Sequence, residues 1–211
     1  MPRATKSPPQ KNVPASARER LLDAAAVVFA RDGLAAATTR EIAQAAGVNE
    51  VTIFRLFKNK QNLLSAVLKR VFAGPAAWEE SPGTQAGLPE IVRGYAAGYA
   101  ARLGKNLSLM RVLIGEIQHF QKHELMVIRG IFRPERQKLI DRLRAAQKAG
   151  LARKDVNPVV VADQLGAMVF MGALKSELPL AKEYSDRDYM ESCVETIVRT
   201  MEIPEGKRRK P

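Results

Sequence analysis

The sequence predicts an all-α protein of about nine helices, divided into a small N-terminal domain and a larger C-terminal helical bundle. Apolar residues recur with the 3.6-residue period of a helix along most of the 211 residues, and no segment shows the alternation of a strand. Cap residues precede these segments, and glycine or proline follows them. The apolar fraction of 46% is ordinary for a globular protein, so the chain can bury a sizeable core.

Residues 1–15 combine several prolines with Arg3, Lys6 and Lys11 and contain almost nothing that a core would bury. We expect a disordered basic arm. Two interpretations stay open: the arm is a passive leader, or it binds an anionic partner.

The first domain, residues 16–72, opens with a helix that supports the rest of the domain. Ser16 and Glu19 form the pattern of a capping box, and Gly33 marks the helix end. The inner face of this helix is predicted to comprise Leu22, Ala25, Ala26 and Phe29. The helix therefore serves as core that fixes the orientation of the helices after it.

Residues 38–60 contain two short helices joined by a tight turn. Thr38 and Glu41 form a second capping box, so the first of these helices begins there. Gly47 ends it, since the residue after a helix often adopts the left-handed conformation that glycine enters without strain. Asn49 caps the second helix. The buried side of that second helix is expected to comprise Val51, Ile53, Phe54 and Phe57.

This arrangement is typical of a helix-turn-helix, whose second helix lies in the DNA major groove. The formal charge of +12 and the pI near 10.1 also favour DNA, because each cation that neutralises a phosphate releases counterions. A soluble protein with a basic tail at residues 204–211 would carry a similar charge, so the prediction depends on the motif. Bound to DNA, the N-terminal arm would add phosphate or minor-groove contacts.

Residues 17–68 contain an opening helix, the segment IAQAAGV, the recognition helix TIFRLF and a lysine that starts the next helix. In residue type and spacing they resemble the tetracycline-repressor (TetR-type) family of bacterial transcriptional regulators. The resemblance covers only this first part of the chain. In the family the remainder diverges almost freely, so the motif does not specify a ligand.

The resemblance implies DNA contacts from both motif helices. Thr39 matches a hydroxyl on phosphate, and Arg40 matches a side chain that reads a base in some members. Arg55 is placed to bridge guanine O6 and N7. Lys58 and Lys60 match backbone contacts, and Lys60 also lies at a helix N-terminus. The predicted DNA-binding set is Thr38, Thr39, Arg40, Asn49, Glu50, Thr52, Phe54, Arg55, Lys58 and Lys60.

Two residues depart from the family pattern. Phe54 stands where the family usually has tyrosine, so a hydroxyl contact to phosphate is missing. Leu56 stands where a polar aromatic residue is frequent. We therefore expect Phe54 to lie mostly in the core and affinity to depend more on lysines.

The fourth helix, capped by Asn59, is predicted from Lys60 to about Ala73. It is the only continuous element between the two domains, so any signal between them must pass along it. The composition of residues 76–87 indicates a loop, and Trp78 is expected to pack beneath that loop.

The C-terminal domain, residues 73–203, is predicted to contain five further helices. They span residues 89–104, 109–120, 124–150, 158–174 and 185–201. Pro134 lies inside the third of these. A kink or a short break is expected there, because proline has no amide proton and crowds the carbonyl of Gly130.

The last two helices, which begin after the caps Asn157 and Ser185, carry more apolar surface than one neighbouring face can cover. A two-fold interface, with each subunit giving two helices to a four-helix bundle, would cover it, and the resemblance implies the same dimer. A monomeric bundle centred on these helices is the alternative. The predicted interface comprises Val161, Leu165, Met168, Val169, Gly172, Tyr189, Met190, Cys193, Val194, Ile197, Val198 and Met201.

The resemblance also implies a small-molecule effector that binds the C-terminal domain and releases the DNA. The predicted pocket comprises Tyr95, Tyr99, Met110, Leu113, Ile114, Ile117, Met168 and Met171, with Gln118 or His119 as polar anchors. Such a lining should favour an apolar or planar organic compound over a sugar or a phosphate. Plain core packing of the methionines is the alternative.

The residues give little support to catalysis, and neither a metal nor a cofactor is predicted. Cys193 is the one cysteine, which excludes an internal disulfide and a Cys-rich metal site. His119 and His123 lie four residues apart, as a metal pair would, but a solvated pair among polar neighbours is the simpler interpretation. Two alternatives stay open: a helical enzyme with a DNA-binding head, and an architectural DNA-binding protein without a ligand.

The sequence predicts a cytosolic protein without a membrane partner. The N-terminal residues include prolines where a secretory signal needs an apolar region, and no run of eighteen or more apolar residues is present.

Overall fold

The computed structural model describes residues 15–72, 87–116, 122–178 and 183–204, with side chains throughout except at 116–128. Its regular structure within these ranges is entirely helical, which confirms the all-α class and the expected helix number. The nine described helices are α1 (Ala17–Ala36), α2 (Thr39–Ala45), α3 (Val51–Phe57), α4 (Lys60–Phe72), α5 (Leu88–Lys105), α6 (Leu107–Glu116), α7 (Lys122–Lys148), α8 (Pro158–Ser176) and α9 (Asp186–Met201). The predictions for the N-terminal arm, Trp78 and the tail from residue 205 lie outside the described residues.

The chain separates into two compact units, Met1–Leu64 and Ser65–Pro211, and the division falls within α4. In the first unit α1 supplies the largest part of the core. Its buried residues are Leu21, Leu22, Ala25, Val28, Phe29 and Leu34. Ala26, which was expected on this inner face, is only half-buried.

The predicted caps of the first unit form as expected. Ser16 and Glu19 cap each other reciprocally at the start of α1, and Thr38 and Glu41 do the same at α2. Gly33 has φ of +83° and interrupts the helical backbone, after which a short turn continues to Ala36.

The turn between α2 and α3 also follows the sequence. Gly47 has φ of +62°, in the left-handed region that favours glycine. Val48 N donates to the carbonyl oxygen of Ala43 at 3.0 Å, which closes the end of α2. Asn49 Oδ1 accepts from Val51 N at 2.9 Å, so Asn49 caps the second motif helix as predicted.

In the second unit, α5, α8 and α9 pack against one another, and α7 packs on α5 and α8. The buried side chains of the three central helices include Ile91, Val92, Tyr95, Ala96, Leu103, Val161, Leu165, Val169, Val194, Ile197 and Met201. The caps at Asn157 and Ser185 are present, with Asn157 Oδ1 accepting from Val159 N at 2.9 Å. This packing leaves space on one side between α5, α7 and α8.

Of the kink or short break expected at Pro134, the break is wrong. The helix α7 continues through Pro134 without interruption. Pro134 and Gly130 are both exposed, so water can satisfy the Gly130 carbonyl that lacks an amide donor four residues later. The loss of one hydrogen bond on a solvated face therefore does not end this helix.

The helix α8 has the length and apolar composition of a membrane-spanning helix. Within the described residues it is the one helix long and apolar enough to cross a membrane, with 19 residues and a mean hydropathy of 1.3. One such helix is weak evidence, because a core helix of a soluble protein has the same composition. Here α8 packs against α5, α7 and α9.

Candidate nucleic-acid interface and ligand cavity

The first residue of α4 anchors the end of α1. Lys60 Nζ donates to the carbonyl oxygens of Leu34 at 2.7 Å, Ala37 at 3.0 Å and Ala35 at 3.3 Å. An ammonium group has three protons, so each of them has an acceptor inside the protein. This geometry contradicts a simple phosphate contact for Lys60, because its charge already stabilises the carbonyls at a helix C-terminus.

Two arginines of α1 attach the same helix to the motif. Arg20 Nε donates to the carbonyl oxygen of Ala46 at 3.1 Å, which holds the end of α2. The Arg18 guanidinium lies 5.6 Å from the ring centroid of Phe57, which holds the end of α3. Sequence reasoning missed both arginines. In the sequence they are recognisable only as basic residues on the supporting helix. Cations are favoured near helix C-termini, and that preference is the one clue to their role.

A side-chain hydrogen bond joins the start of α2 to the start of α3. Thr39 Oγ1 donates to Glu50 Oε1 at 2.5 Å, and Glu50 is half-buried. Thr38 Oγ1 donates to Glu41 Oε2 at 2.8 Å within the capping box. Thr38, Thr39 and Glu50 were predicted to contact DNA, and that role stays a prediction. A phosphate would have to replace the present acceptor of either hydroxyl.

The exposed side of the motif is basic. Arg40, Arg55 and Lys58 are exposed, and none has a carboxylate partner among the residues whose side chains the structure describes. Lys58 follows α3 with φ of +73°, a conformation uncommon for a residue with a side chain. These three unpaired charges give the motif an electrostatic surface suited to a polyanion.

The predicted buried side of α3 is wrong for two residues. Val51 is 69% exposed and Phe54 is 47% exposed, whereas Ile53 and Phe57 are buried. A seven-residue helix packs through one narrow face, and only the pair spaced by four residues lies on it. Phe54 therefore does not lie in the core, contrary to the expectation. Exposed apolar groups on a recognition helix are suited to contact the methyl group of thymine.

The second unit contains a cavity of about 910 Å³ between α5, α7 and α8. Its lining combines aromatic and small residues with charged ones. The lining residues are Tyr95, Tyr99, Arg129, Gly130, Phe132, Arg133, Glu135, Arg136, Ala162, Asp163, Gly166, Ala167 and Phe170. This volume lies in the range of known small-molecule sites.

Among the residues that the structure describes, the cavity shares Tyr95 and Tyr99 with the predicted pocket and no other member. Met110 and Leu113 are buried elsewhere in the core, Ile114 and Met171 are 44% exposed, and Met168 is half-buried and does not line the cavity. Ile117, Gln118 and His119 lie outside the described residues. The prediction used α6, whereas α7 is the helix that packs on α5 and α8.

Ion pairs neutralise part of the cavity's charge. Arg136 donates from Nε to Asp163 Oδ1 and from Nη2 to Asp163 Oδ2, the latter at 2.7 Å. This hydrogen bonding holds the pKa of Asp163 below its usual range. Glu135 pairs with Arg102. Burial raises the pKa of Tyr95 to about 12 and also raises the pKa of Tyr99, so both hydroxyls stay protonated at neutral pH.

Two arginines of the cavity are not neutralised in this way. Arg129 and Arg133 are exposed and have no carboxylate partner among the described side chains. The lining is therefore more polar and more positive than the apolar pocket that the sequence predicted.

The cavity is connected to the end of α4 by an aromatic contact. The ring centroids of Phe132, which lines the cavity, and Phe72, the last residue of α4, lie 5.1 Å apart. Phe72 is 5% exposed, so it is fixed in the core of this unit. A displacement of Phe132 would therefore act directly on α4.

The predicted interface requires correction. Seven of its members are at most 5% exposed within the single chain, so they form core rather than a surface for a partner. These seven are Val161, Leu165, Val169, Cys193, Val194, Ile197 and Met201. The prediction rested on apolar content alone and therefore placed both sides of α8 and α9 in the interface with a partner. Contacts with α5 already cover one side of each helix.

Gly172 and Tyr189 also contact each other within the chain. A Cβ atom added at Gly172 would lie 2.6 Å from Tyr189 Cε1, and Tyr189 Oη donates to the carbonyl oxygen of Met168 at 3.2 Å. The remaining predicted members, Met168, Met190 and Val198, are half-buried. The exposed apolar side chains of α8 are instead Val160 at 50% and Met171 at 44%.

Among the residues that the structure describes, no three or more His, Cys, Asp or Glu residues form a group able to hold a metal ion. His119 lies outside those residues, and the side chain of His123 is also outside the description.

Two family models match the chain. The model of bacterial regulatory proteins of the tetR family matches residues 21–67. The model of the AefR-like transcriptional repressor C-terminal domain matches residues 86–203, which is more than half of the chain.

Curated relatives resemble the N-terminal part. Over 52 residues the chain is 52% identical to the uncharacterized HTH-type transcriptional regulator YvkB of Bacillus subtilis (strain 168), covering 25% of this chain and 28% of that protein. Over 63 residues it is 40% identical to the HTH-type transcriptional repressor KstR2 of Mycolicibacterium smegmatis, covering 30% and 31% respectively. The chain thus spans less than a third of the length of these curated relatives.

Solved structures resemble nearly the whole chain. A bacterial regulatory protein in the tetR family from Rhodococcus RHA1 superposes with a TM-score of 0.68 at 21% identity, covering 90% of this chain and 100% of that one. The TetR family transcriptional regulator PfmR from Thermus thermophilus gives a TM-score of 0.65 at 19% identity, covering 85% and 97%. At such identities the likeness shows the fold alone. The two family models establish that the chain belongs to the tetR family of bacterial regulatory proteins.

Proposed function

We propose that the protein is a one-component transcriptional repressor that binds a palindromic operator as a dimer and is released by a small-molecule effector. One observation carries this proposal: a helix-turn-helix with unpaired exposed cations and a cavity of about 910 Å³ occur in the two units of one chain. We also propose a cytoplasmic location, because a repressor of this kind must reach the DNA inside the cell.

The geometry supports a division of roles within the motif. Arg55 and Arg40 are exposed and free to contact bases, and Lys58 is free to contact phosphate. Asn49 and Thr52 lie at the start of α3, next to the exposed Val51. Lys60 acts as a positioning residue, because its protons are bound to the end of α1.

A second copy of the chain would cover the exposed faces of α8 and α9. On α8 this face contains Val160, Gln164 and Met171, spaced as one helical stripe. On α9 the exposed Thr196 and Thr200 donate their hydroxyl protons to backbone carbonyls four residues earlier at 2.8 Å, so they can be covered without losing a hydrogen bond.

The oligomeric state of variants tests whether this surface is the dimer interface. Met171→Glu should yield monomers in sedimentation experiments, because a carboxylate in a two-fold interface faces its own copy. Ile114→Glu is the matched control, since Ile114 on α6 is equally exposed at 44%. A Met171→Glu protein that remains dimeric would place the interface elsewhere.

The release mechanism follows from the contact between Phe132 and Phe72. A ligand in the cavity displaces Phe132, which moves the end of α4, and α4 changes the orientation of the recognition helices. In a dimer these helices must enter successive major grooves about 34 to 36 Å apart. Shifting the population from 99:1 to 1:99 requires about 5.5 kcal/mol of differential affinity, which two sites per dimer can share.

The arrangement supports the regulator over the two alternatives. An enzyme would need titratable groups free to act in the cavity, but Glu135 and Asp163 are paired with arginines. An architectural DNA protein would have no use for a lined cavity.

The experiment is a calorimetric titration of a cavity ligand with and without operator DNA. Because coupling is reciprocal, operator should weaken ligand binding by the factor by which ligand weakens operator binding. Identical ligand affinities in the two titrations would contradict effector-controlled release.

A further inference from the structure

We propose that the cavity binds an organic anion, with its carboxylate on Arg129 and Arg133 and its apolar body against the aromatic rings inside. This inference rests on the proposed function only in treating the cavity as the effector site. The binding itself can be measured on the free protein, without DNA.

The two arginines form a cation pair on one face of α7. They are four residues apart in an unbroken helix, so their side chains are neighbours, and both line the cavity. Both are exposed, which places them at the solvent side of the cavity. Arginine's planar set of donors matches the two oxygens of a carboxylate.

The other charges of the cavity cancel in pairs. Arg136 binds Asp163, and Arg102 binds Glu135. Among the described side chains, three arginines and two carboxylates line the cavity, and Arg102, which lies outside the lining, pairs with one of those carboxylates. The two positive charges left without a carboxylate partner are therefore Arg129 and Arg133. Neither carboxylate is available to a cationic ligand without breaking an ion pair, so the charge pattern selects against cations.

The interior is suited to an apolar body. Tyr95 and Tyr99 stack with ring centroids 5.8 Å apart, and Phe132 and Phe170 complete the aromatic lining. At Gly166 an added Cβ atom would lie 3.9 Å from Tyr95 Oη, which is an ordinary contact and leaves room beside α8. A molecule with one carboxylate and an aromatic or alkyl body therefore fits both parts of the cavity.

The test compares acids with neutral amides of the same shape. Decanoate with decanamide, and 4-phenylbutyrate with 4-phenylbutyramide, are titrated into the free protein by calorimetry. We expect at least one acid to bind about tenfold to a hundredfold more tightly than its amide, because only the acid accepts charge-assisted hydrogen bonds. Affinity should be constant between about pH 6 and 9, since arginine stays protonated.

Variants locate the binding site. Arg129→Gln combined with Arg133→Gln should remove the preference for acid over amide and leave the amide affinity unchanged. Arg93→Gln is the matched control, because Arg93 is exposed on α5 and does not line the cavity. Gly166→Leu should weaken binding of both acid and amide by occupying the space beside Tyr95, with thermal denaturation as the check on folding.

Two results would overturn the proposal. The first is equal affinity of acid and amide in both pairs, or no binding by either acid. The second is a preference for acid that survives in the Arg129→Gln, Arg133→Gln protein. Operator binding is measured on the same preparations: its absence would contradict the proposed regulator, whereas the comparison of acid with amide would still decide the ligand class.

Discussion

Lys60 Nζ lies 2.7 Å from the carbonyl oxygen of Leu34, so the first residue of α4 holds the last turn of α1. A residue whose family position suggests a contact with DNA thus has a structural role within the protein. The same lysine binds Ala35 and Ala37, and the three bonds together hold the start of α4 against the end of α1.

Replacing Lys60 tests this role. Lys60→Met keeps the aliphatic stem but removes the ammonium, and it should lower the free energy of unfolding by about 1.5 to 3 kcal/mol. Lys58→Met is the matched control, since Lys58 is exposed, and it should leave stability nearly unchanged. It should also reduce the slope of log affinity against log salt concentration by the contribution of about one phosphate contact. Urea denaturation and binding at several salt concentrations measure both effects. Equal stability of the two variants would refute the anchoring role.

Arg55 is predicted to determine sequence preference. Arg55→Ala should weaken specific binding by about 1 to 3 kcal/mol and relax the preference at one base pair in each half-site. Lys58→Ala should instead weaken binding to all sequences alike. Affinities for a set of operator variants distinguish the two, and unchanged relative affinities in Arg55→Ala would remove Arg55 from base recognition.

Gly47 tests the turn of the motif. Its φ is +62°, and an added Cβ atom would meet no other atom within 4 Å, so only the backbone conformation opposes a side chain there. Gly47→Val should cost about 1 to 3 kcal/mol and reduce operator binding with little loss of helix. Gly47→Asn should cost less, because asparagine tolerates the left-handed region. The comparison uses denaturation and circular dichroism, and equal stability of both variants with wild type would exclude the strain.

Two glycines of α8 provide a matched pair. Gly166→Ala should stabilise the protein by up to about 1 kcal/mol, because alanine favours helix and its Cβ atom lies 3.9 Å from the nearest atom. Gly172→Ala should destabilise it by about 1 to 3 kcal/mol, because its Cβ atom would lie 2.6 Å from the Tyr189 ring. Thermal denaturation of both variants measures the difference, and equal midpoints would show that Tyr189 moves away without cost.

The contact between Phe132 and Phe72 is predicted to transmit the signal. Phe132→Leu should reduce the factor by which ligand weakens operator binding, while each site alone retains most of its affinity. Ligand titrations with and without operator give that factor for both proteins. A variant with the wild-type factor would show that the signal takes another route.

Local signals predicted the elements well, because caps and glycine turns depend on neighbouring residues. Ser16, Thr38, Gly47, Asn157 and Ser185 all act where the sequence placed them. The failures concern contacts between distant parts of the chain. The three acceptors of Lys60 lie more than twenty residues away from it, and no local pattern identifies them.

The cavity and the interface were predicted poorly for the same reason. Apolar periodicity shows which side of a helix is buried but not which helix buries it. Met110 and Leu113 therefore entered the predicted pocket, whereas Arg129 and Arg133, which line the cavity, were not among the predicted residues. Likewise, the sides of α8 and α9 that contact α5 could not be distinguished from the sides left for a partner.

In the proposed function, the motif recognises a two-fold symmetric operator. Selection of binding sites from random duplex DNA, followed by footprinting of the selected site, tests it most directly. We expect one palindromic sequence whose half-sites are protected on one side of the duplex, with centres about 34 to 36 Å apart. Uniform protection without a recurring sequence would contradict it.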